Sequence, residues 1–412
     1  MVRIRPFRAV RPAKGKEAEI AALPYDVYSR REAKKAVEGR PLSFLRIDRA
    51  ETQLPGDVDT CDERVYEKAK DLLEEMKERG DFVQDAVSCC YLYELTMEGR
   101  SQTGIVACAS IDDYLEGRIK KHENTRREKE EDRVRHVDVC STQTGPIFLA
   151  YRNRPELKAL KEEEKKKEPL FSFVSEDGIG HRGWLISDEK ALGRIREIFE
   201  GMDAVYIADG HHRAASAVRT GLKRRESHPG YTGEEEFNYF LSVLFPDDEL
   251  MIMDYNRVVR DLNGLSAEEF LERAEKVFEV EKLEGRKAPK KKGEIALFLS
   301  EQWYLLTLRP EYVREDPVEG LDVSVLQREL LGPVLGIGDP RTDERIDFVG
   351  GIRGLEELER RVHTDMELAF AMYPTSIGEL FAVADAGLLM PPKSTWFEPK
   401  LRSGLFLHTI EA

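Results

Sequence analysis

The sequence has 412 residues, which exceeds the roughly 100–200 residues of an ordinary domain and predicts two or three domains. Hydrophobic residues account for 41% of the chain and charged residues for 35%, which indicates a substantial core beneath a heavily charged surface. The 64 basic and 79 acidic side chains give a net charge of −15. A net charge of that sign excludes attachment to nucleic acid or to an anionic membrane by bulk electrostatics.

No apolar run in the sequence reaches the roughly 18–20 residues needed to span a membrane. The first residues also lack the apolar core of a signal peptide, so we expect a cytoplasmic protein. The five cysteines include no Cys-x-x-Cys pair. This pattern predicts buried, reduced thiols and no structural zinc.

In the N-terminal part, Ser29 and Glu32 have the spacing of a capping box, which predicts a helix that ends near Gly39. The apolar run at residues 43–47 predicts a strand. Residues 62–79 carry apolar side chains at helical spacing and predict an amphipathic helix.

In the central part, residues 87–95 and 103–111 predict two strands of a hairpin around Glu98 and Gly99. Residues 237–245 are apolar throughout and fit either a strand or a buried helix. The other elements predicted here are strands at 145–151, 170–174, 183–186 and 204–208, a helix at 189–199 and a charged helix or linker at 158–168.

The C-terminal part predicts two strands, three helices and a proline-containing loop, at residues 295–299, 303–308, 323–330, 355–362, 377–384 and 390–397. Over the whole chain, helices and strands alternate without a regular βαβ rhythm. The fold class predicted is therefore mixed α/β (α+β).

The sharpest local signal follows the predicted strand at 204–208, where the chain reads Asp209, Gly210, His211, His212, Arg213 at the start of a helix. A helix N-terminus favours an anion, and Gly210 would let a phosphate approach the backbone. Arg213 can bind two phosphate oxygens, while Asp209 can hold Mg²⁺ or serve as a base.

Two other interpretations of this motif remain open. The motif can be a capped helix with two solvated histidines. It can also belong to a metal-dependent hydrolase that uses His211 and His212 with His122 and His136. Adjacent helical residues point about 100° apart, which disfavours a shared ion.

A second polar cluster spans residues 120–138, where helical spacing puts Lys129, Asp132, Arg133 and His136 on one flank. A solvated charged helix is the alternative interpretation. Glu123 precedes that helix, after a strand and a loop, and is the best candidate for a general base besides Asp209.

The third cluster, residues 390–400, contains Lys393 and Ser394 as candidate phosphate contacts. The glycines of a Walker motif are missing before them, so that motif is excluded. A rigid structural loop is the alternative.

The sequence from Asp209 to Arg213 resembles the phosphate-binding motif of the ParB/sulfiredoxin superfamily, in the form found in archaeal ADP-dependent free serine kinases. The whole chain resembles the domain of unknown function 1015 family (DUF1015). The stretches that carry this second resemblance are 24–27, 122–133, 209–213 and 390–400.

The resemblance implies a ParB/sulfiredoxin-like nucleotide-binding core at 86–255, with a region packed on it at 1–85 and a further α/β region at 256–412. It implies ATP or ADP with Mg²⁺ at Asp209. The nucleotide-binding residues that the resemblance implies are Gly210, His211, His212 and Arg213, to which the stretch at 390–400 adds Lys393 and Ser394 as candidates. The catalytic candidates are Glu123, Asp209 and His212.

The predicted function is a small-molecule kinase that converts free L-serine to O-phosphoserine, with Glu123 as the base on the serine hydroxyl. The alternative is a nucleotide-binding regulatory NTPase that makes no phosphorylated small molecule. The partners expected are a nucleotide and a small substrate, without nucleic acid or membrane, and a homodimer is left open as the assembly.

Overall fold

The computed structural model describes residues 1–411. Its helices, numbered in chain order, are α1 Glu17–Ile20, α2 Arg30–Ala36, α3 Leu45–Asp48, α4 Glu63–Glu78, α5 Ile111–Leu115, α6 Arg127–Cys140, α7 Pro155–Glu164, α8 Glu189–Glu200, α9 His211–Ser227, α10 Ala267–Ala274, α11 Asp322–Leu326, α12 Gly354–Thr364 and α13 Ile377–Asp385.

Its strands are β1 Ile4–Arg5, β2 Val10–Pro12, β3 Phe82–Gln84, β4 Cys90–Met97, β5 Arg100–Ser110, β6 Ile119–Lys120, β7 Thr142–Gln143, β8 Ile147–Tyr151, β9 Phe171–Val174, β10 Gly180–Ile186, β11 Val205–Asp209, β12 Tyr239–Pro246, β13 Ile252–Met253, β14 Tyr255–Val259, β15 Phe278–Lys282, β16 Glu294–Leu299, β17 Gln302–Leu308, β18 Ile346–Gly350, β19 Leu368–Met372, β20 Trp396–Phe397 and β21 His408–Thr409. This mixture confirms the α+β class. No helix within residues 1–411 is long and apolar enough to cross a bilayer.

The chain forms two compact units, one made of residues 1–250 with 399–412 and the other of 251–398. Residues 1–85, predicted as a region packed on the core at 86–255, lie in one unit with residues 86–250. The last residues return to the first unit, where β21 pairs with β7 and Ser403 pairs with Ala22. Such long-range pairing leaves no local pattern in a sequence.

The first unit is built on a mixed sheet with the strand order β6-β11-β8-β12-β5-β4-β10-β9. Strand β11 runs parallel to β6 and antiparallel to β8. Alternate side chains of the central strands are apolar and pack against α8 and α9 to form the main core, which includes Leu149, Ile207 and Ala214. The predicted hairpin of β4 and β5 is confirmed.

The N-terminal helices of the first unit form a smaller core around Phe44, Ile47 and Leu73. The capping box of Ser29 and Glu32 is confirmed. The strand predicted at 43–47 is wrong, because this segment contains helix α3. Phe44, Leu45 and Ile47 are all buried, and a short apolar run that is buried on every side looks alike in a strand and in a helix.

The second unit carries an antiparallel sheet in the order β15-β17-β16-β19-β14-β18. Helix α12 packs on this sheet through Leu358, beside Phe298 and Trp303 of the unit's core. The strands and helices predicted for residues 295–308, 355–362 and 377–384 are confirmed.

The first unit also contains His181, whose ring stays neutral at pH values well below the usual pKa of a histidine. His181 lies on β10 and is stacked on Phe173, and the hydroxyls of Tyr93 and Ser175 hydrogen-bond to its ring nitrogens at 2.8 and 3.0 Å. Burial, together with the charge of the nearby Arg402, lowers the pKa of His181 to about 3. An unfolded histidine takes up its proton near pH 6.5.

We predict that acid destabilises the first unit partly through His181. Between about pH 6.5 and pH 3 the unfolded chain binds a proton that the folded chain does not, so the free energy of unfolding falls as the pH falls. His181→Gln should reduce that slope by about 1.4 kcal/mol per pH unit. Urea denaturation from pH 7.5 to 4.5 measures it. Plotted against pH, the free energies of unfolding of the wild type and of His181→Gln should run parallel above pH 7. Equal slopes of the two plots below pH 6 would contradict the prediction.

Candidate functional site

The motif found in the sequence lies where three strands of the first unit meet. Strands β6 and β11 are parallel, with Tyr206 opposite Lys120, so both end at the same edge of the sheet. Strand β8 is antiparallel to β11 and begins at that edge. The residues that follow β6 and β11, among them Glu123 and Gly210, are therefore brought together.

The end of β11 is shaped to present the motif. The register shifts so that Ile207 faces Leu149 but Asp209 faces Phe148, which leaves one extra residue in β11. Such a bulge re-aims the side chains that follow it. Gly210 then takes a left-handed conformation with φ of +90°, which favours glycine.

Helix α9 begins immediately after Gly210 with an N-terminus that the chain itself leaves open. No side chain caps it, and its first turn contains no acidic residue. The first N–H groups of a helix lack intrahelical partners and carry the positive end of the helix dipole. This end of α9 is therefore suited to an anion.

The Arg213 guanidinium lies against Gly210, the residue that precedes this N-terminus. A Cβ atom placed on Gly210 would be 3.1 Å from the guanidinium group, so any other residue here would push against Arg213. The guanidinium donates to the carbonyl oxygen of Pro146, and its Nη2 lies 3.4 Å from Asp209 Oδ2. Its buried Nε has no hydrogen-bond partner within residues 1–411. The hydrogen bond from Arg213 to Pro146 thus joins the motif to the start of β8.

Asp209 faces two cations. Besides Arg213, the Nζ atom of Lys400 lies 3.9 Å from its Oδ2 atom. Burial opposes ionisation of Asp209, but the Lys400 and Arg213 charges outweigh burial and hold its pKa below the usual range. The carboxylate is therefore ionised and neutralised locally at neutral pH. Lys400 was not among the predicted site residues, although it ends the stretch at 390–400.

His211 is buried against another histidine, which overturns the interpretation with two solvated histidines. The rings of His122 and His211 meet edge to face with centroids 4.5 Å apart, and both are at most 5% exposed. Burial lowers the pKa of His122 to about 4 and moves that of His211 well below its usual value. Both rings are neutral at pH 7.

Glu123 lies beside this pair. Its Oε2 atom is 3.9 Å from Nδ1 of His211, and its side chain remains 46% exposed. The main-chain N–H of His122 points at the other ring nitrogen of His211 at 3.5 Å. That contact favours the tautomer of His211 with its proton on Nδ1, the atom that faces Glu123. Glu123 is thus a partly exposed carboxylate next to a neutral imidazole.

His212 points away from the buried pair. It is half-buried, and its Nε2 atom accepts a hydrogen bond of 3.0 Å from the main-chain N–H of Arg126. Burial lowers its pKa, and the nearby Lys129 adds to that effect. This hydrogen bond therefore holds the main chain just before α6 in place.

Residues 127–138 of the polar segment 120–138 lie in helix α6, and the interpretation of it as a solvated helix is wrong for one flank. Arg133 and His136 are 8% and 2% exposed. Arg133 binds Asp132 at 2.8 Å and lies 4.1 Å above the ring of Tyr25. Two stretches that carry the family resemblance, 24–27 and 122–133, are therefore in contact.

A small cavity with polar and apolar lining lies beside Arg213 in the first unit. Its volume is about 30 Å³, and the side chains that line it include Tyr25, Asp48, Arg133, His136, Arg213 and Ser216. No pattern in the sequence pointed to Asp48, which ends the helix that was predicted as a strand.

The residues present do not form a transition-metal centre. Within residues 1–411 there is no group of three or more His, Cys, Asp or Glu side chains placed to hold a metal ion. The hydrolase interpretation thus lacks its ligand set. Asp209 offers one carboxylate, which fits Mg²⁺ because that ion commonly takes one or two protein carboxylates and completes its shell with phosphates and water.

Lys393 and Ser394 belong to the second unit. The Ser394 hydroxyl donates to the carbonyl of Pro391 at 2.6 Å, and the Lys393 carbonyl accepts from Arg257 at 3.0 Å. The Lys393 ammonium group lies 5.6 Å from the centre of the Tyr255 ring. These contacts order the loop, and the phosphate contacts of its side chains stay a prediction.

Comparison of the backbone with solved structures finds eight similar chains. Three of them are a free serine kinase in complex with AMP (16% identity, 71% of this chain and 86% of that chain, TM-score 0.34), SbnI with a C-terminal truncation from Staphylococcus aureus (10%, 71% and 82%, 0.37) and a conserved hypothetical protein from Pyrococcus furiosus (15%, 73% and 93%, 0.34).

Comparison of the sequence finds no match among curated proteins. The family model described as protein of unknown function (DUF1015) matches residues 4–324. That range is more than half of the 412 residues, so the chain belongs to the DUF1015 family.

Proposed function

We propose that this chain is a nucleotide-dependent phosphotransferase that phosphorylates the hydroxyl group of a small molecule, with free L-serine as the acceptor. The arrangement that supports the proposal most strongly is the uncapped N-terminus of α9 with the Arg213 guanidinium beneath it. The serine acceptor comes from the resemblance of the motif to free serine kinases. The ParB/sulfiredoxin-like core at 86–255 is part of the same proposal.

The nucleotide phosphates would lie against Gly210 and the first turn of α9. There the free N–H groups donate to phosphate oxygens, and the absence of a side chain on Gly210 leaves room for them. Arg213 adds a fixed positive charge that is already held by Pro146 and Asp209. Charges fixed before the reaction stabilise the charge that develops during phosphoryl transfer without having to reorganise.

Glu123 is a better base than Asp209 for the acceptor hydroxyl. Asp209 is neutralised by Lys400 and Arg213, and its lowered pKa makes it a weak proton acceptor. Glu123 lies beside the neutral His211 and is exposed enough to reach a substrate. Proton removal by a positioned carboxylate is a common source of rate in such reactions.

Asp209 would hold Mg²⁺ when the nucleotide is bound, and the ion would neutralise phosphate charge. His211 would keep Glu123 in place through its Nδ1 proton. His212 stays a catalytic candidate on sequence grounds, and its contact with Arg126 suits it to hold the segment that carries Glu123.

The proposal is tested by phosphorus NMR of the full chain with Mg²⁺, L-serine and either ATP or ADP. A phosphomonoester signal that requires serine supports it and identifies the donor. Nucleotide hydrolysis without that signal would contradict it in favour of the regulatory NTPase, which shares the phosphate site but makes no phosphorylated product.

Arg213→Ala should lower the rate of phosphoryl transfer by about 100- to 1,000-fold, as expected when a charge-stabilising donor is lost. Lys223→Ala is the matched control, because Lys223 lies on the same helix with a side chain 63% exposed. The control should keep the wild-type rate in the NMR assay. An Arg213→Ala protein that folds and turns over at the wild-type rate would contradict the role of Arg213.

Glu123→Gln should lower kcat by about 100- to 10,000-fold, because the amide cannot accept the hydroxyl proton. The affinity for ADP, measured by isothermal titration, should stay close to that of the wild type, since Glu123 is placed on the acceptor side. A wild-type kcat, or an equal loss of nucleotide affinity, would show that Glu123 is not the base.

A further inference from the structure

Asp48 is a buried carboxylate whose side chain has no ion pair within 4 Å in the described part of the chain. Its side chain belongs to a residue only 4% exposed, and the hydroxyl of Thr144 donates to its Oδ1 atom at 2.8 Å. No ion pair within 4 Å reaches Asp48 from any of residues 1–411. A buried, ionised carboxylate without a counter-charge is costly unless something else supplies that charge.

Two other buried carboxylates of the same unit do have cations within 4 Å. Asp81, which is also 4% exposed, binds Lys16 at 2.6 Å and Arg79 at 2.7 Å. Glu94 binds Arg182 at 2.5 Å. Asp48 departs from this pattern although it is buried just as deeply.

The Arg133 charge acts on Asp48, but the guanidinium makes its close ion pair with Asp132 and not with Asp48. Arg133 directs Nε and Nη2 to Asp132 at 2.8 Å, and its Nη1 atom lies 3.5 Å from the main-chain carbonyl of Asp48. His136 hydrogen-bonds to the carbonyl of Ile47 at 3.2 Å. Burial, reinforced by the Arg133 charge, lowers the pKa of His136 and keeps the ring neutral.

Asp48 lines the cavity beside Arg213, and the volume of about 30 Å³ suits a group the size of water or ammonium. An ammonium group has three hydrogens to donate. Ser216 lines the same cavity and gives its own proton to the main-chain carbonyl of His212 at 2.6 Å, so its oxygen remains free to accept. Arg213 also lines this cavity, so the proposed phosphate-binding site lies next to it.

We propose that Asp48 binds the ammonium group of the phosphoryl acceptor. The substrate class is then a hydroxyl compound that carries a primary ammonium group, and hydroxy compounds without one are rejected. This inference rests on the proposed phosphotransferase function. It makes Asp48 a specificity-determining residue of that reaction.

The test compares three ligands of similar size by isothermal titration into the full chain, with and without ADP. L-serine and ethanolamine keep the ammonium group, whereas glycerate has a hydroxyl group in its place. Serine and ethanolamine should bind, and glycerate should bind at least about 30-fold more weakly, as expected when a buried charge loses its partner. This comparison needs no variant.

Asp48→Asn should weaken serine binding by about 30-fold or more, because it removes the charge and keeps the shape. Asp81→Asn is the matched control, equally buried but remote from the ammonium group, and should retain serine affinity. Equal binding of glycerate and serine, unchanged affinity in Asp48→Asn, or no binding of either ammonium compound would overturn the inference. So would competition by ammonium chloride at the concentration of serine, which would indicate a simple cation site.

The two proposals fail in different ways. Serine binding that depends on Asp48, without any phosphomonoester in the NMR assay, would support the ammonium site and contradict the phosphotransferase. A phosphomonoester formed equally well from serine and glycerate would support the phosphotransferase and overturn the role of Asp48.

Discussion

The contact between Arg213 and Gly210 is the constraint on which the candidate site depends. The guanidinium group lies close against Gly210, 3.1 Å from where a Cβ atom would be, and it joins α9 to the start of β8 through the carbonyl of Pro146. The same group neutralises Asp209 at the end of β11. One side chain therefore connects the two strands and the helix that meet at this edge, and it leaves the helix N-terminus open.

The end of the chain completes the site from a distance in sequence. Residues 399–411 return to the first unit, where Lys400 approaches Asp209 and Ser403 pairs with Ala22. Arg402 in the same segment is 4% exposed and bonds to Ser175 at 3.1 Å. Because Lys400 helps to hold Asp209 ionised, the C-terminal segment contributes to the charge balance of the site as well as to the fold.

The sequence was informative where a feature is local. The motif from Asp209 to Arg213 could be recognised because strand, glycine and helix start are consecutive, and the capping box of Ser29 and Glu32 is a pattern of four residues. Glu123 was predicted as a base from its position after a strand and a loop and from the resemblance to free serine kinases, and the pairing of β6 with β11 brings it beside the motif. Its role as a base remains a prediction.

Features created by long-range packing could not be foreseen. Asp48 ends a short helix whose apolar residues fit a strand equally well, and its place beside Arg213 arises from the packing of α3 against α4 and α6. The burial of Arg133 and His136 in a strongly charged segment depends on Tyr25 and Ile47, about a hundred residues earlier. Lys400 approaches Asp209 because the end of the chain folds back onto the first unit. Hydrophobic periodicity gives no sign of such a contact.

The most direct test of this account is a crystal structure of the full chain with ADP and Mg²⁺. The account predicts phosphate oxygens within hydrogen-bond distance of the main-chain N–H groups at the start of α9 and of the Arg213 guanidinium, with the ion beside Asp209. A nucleotide bound elsewhere, with the N-terminus of α9 and Arg213 free of phosphate, would contradict it.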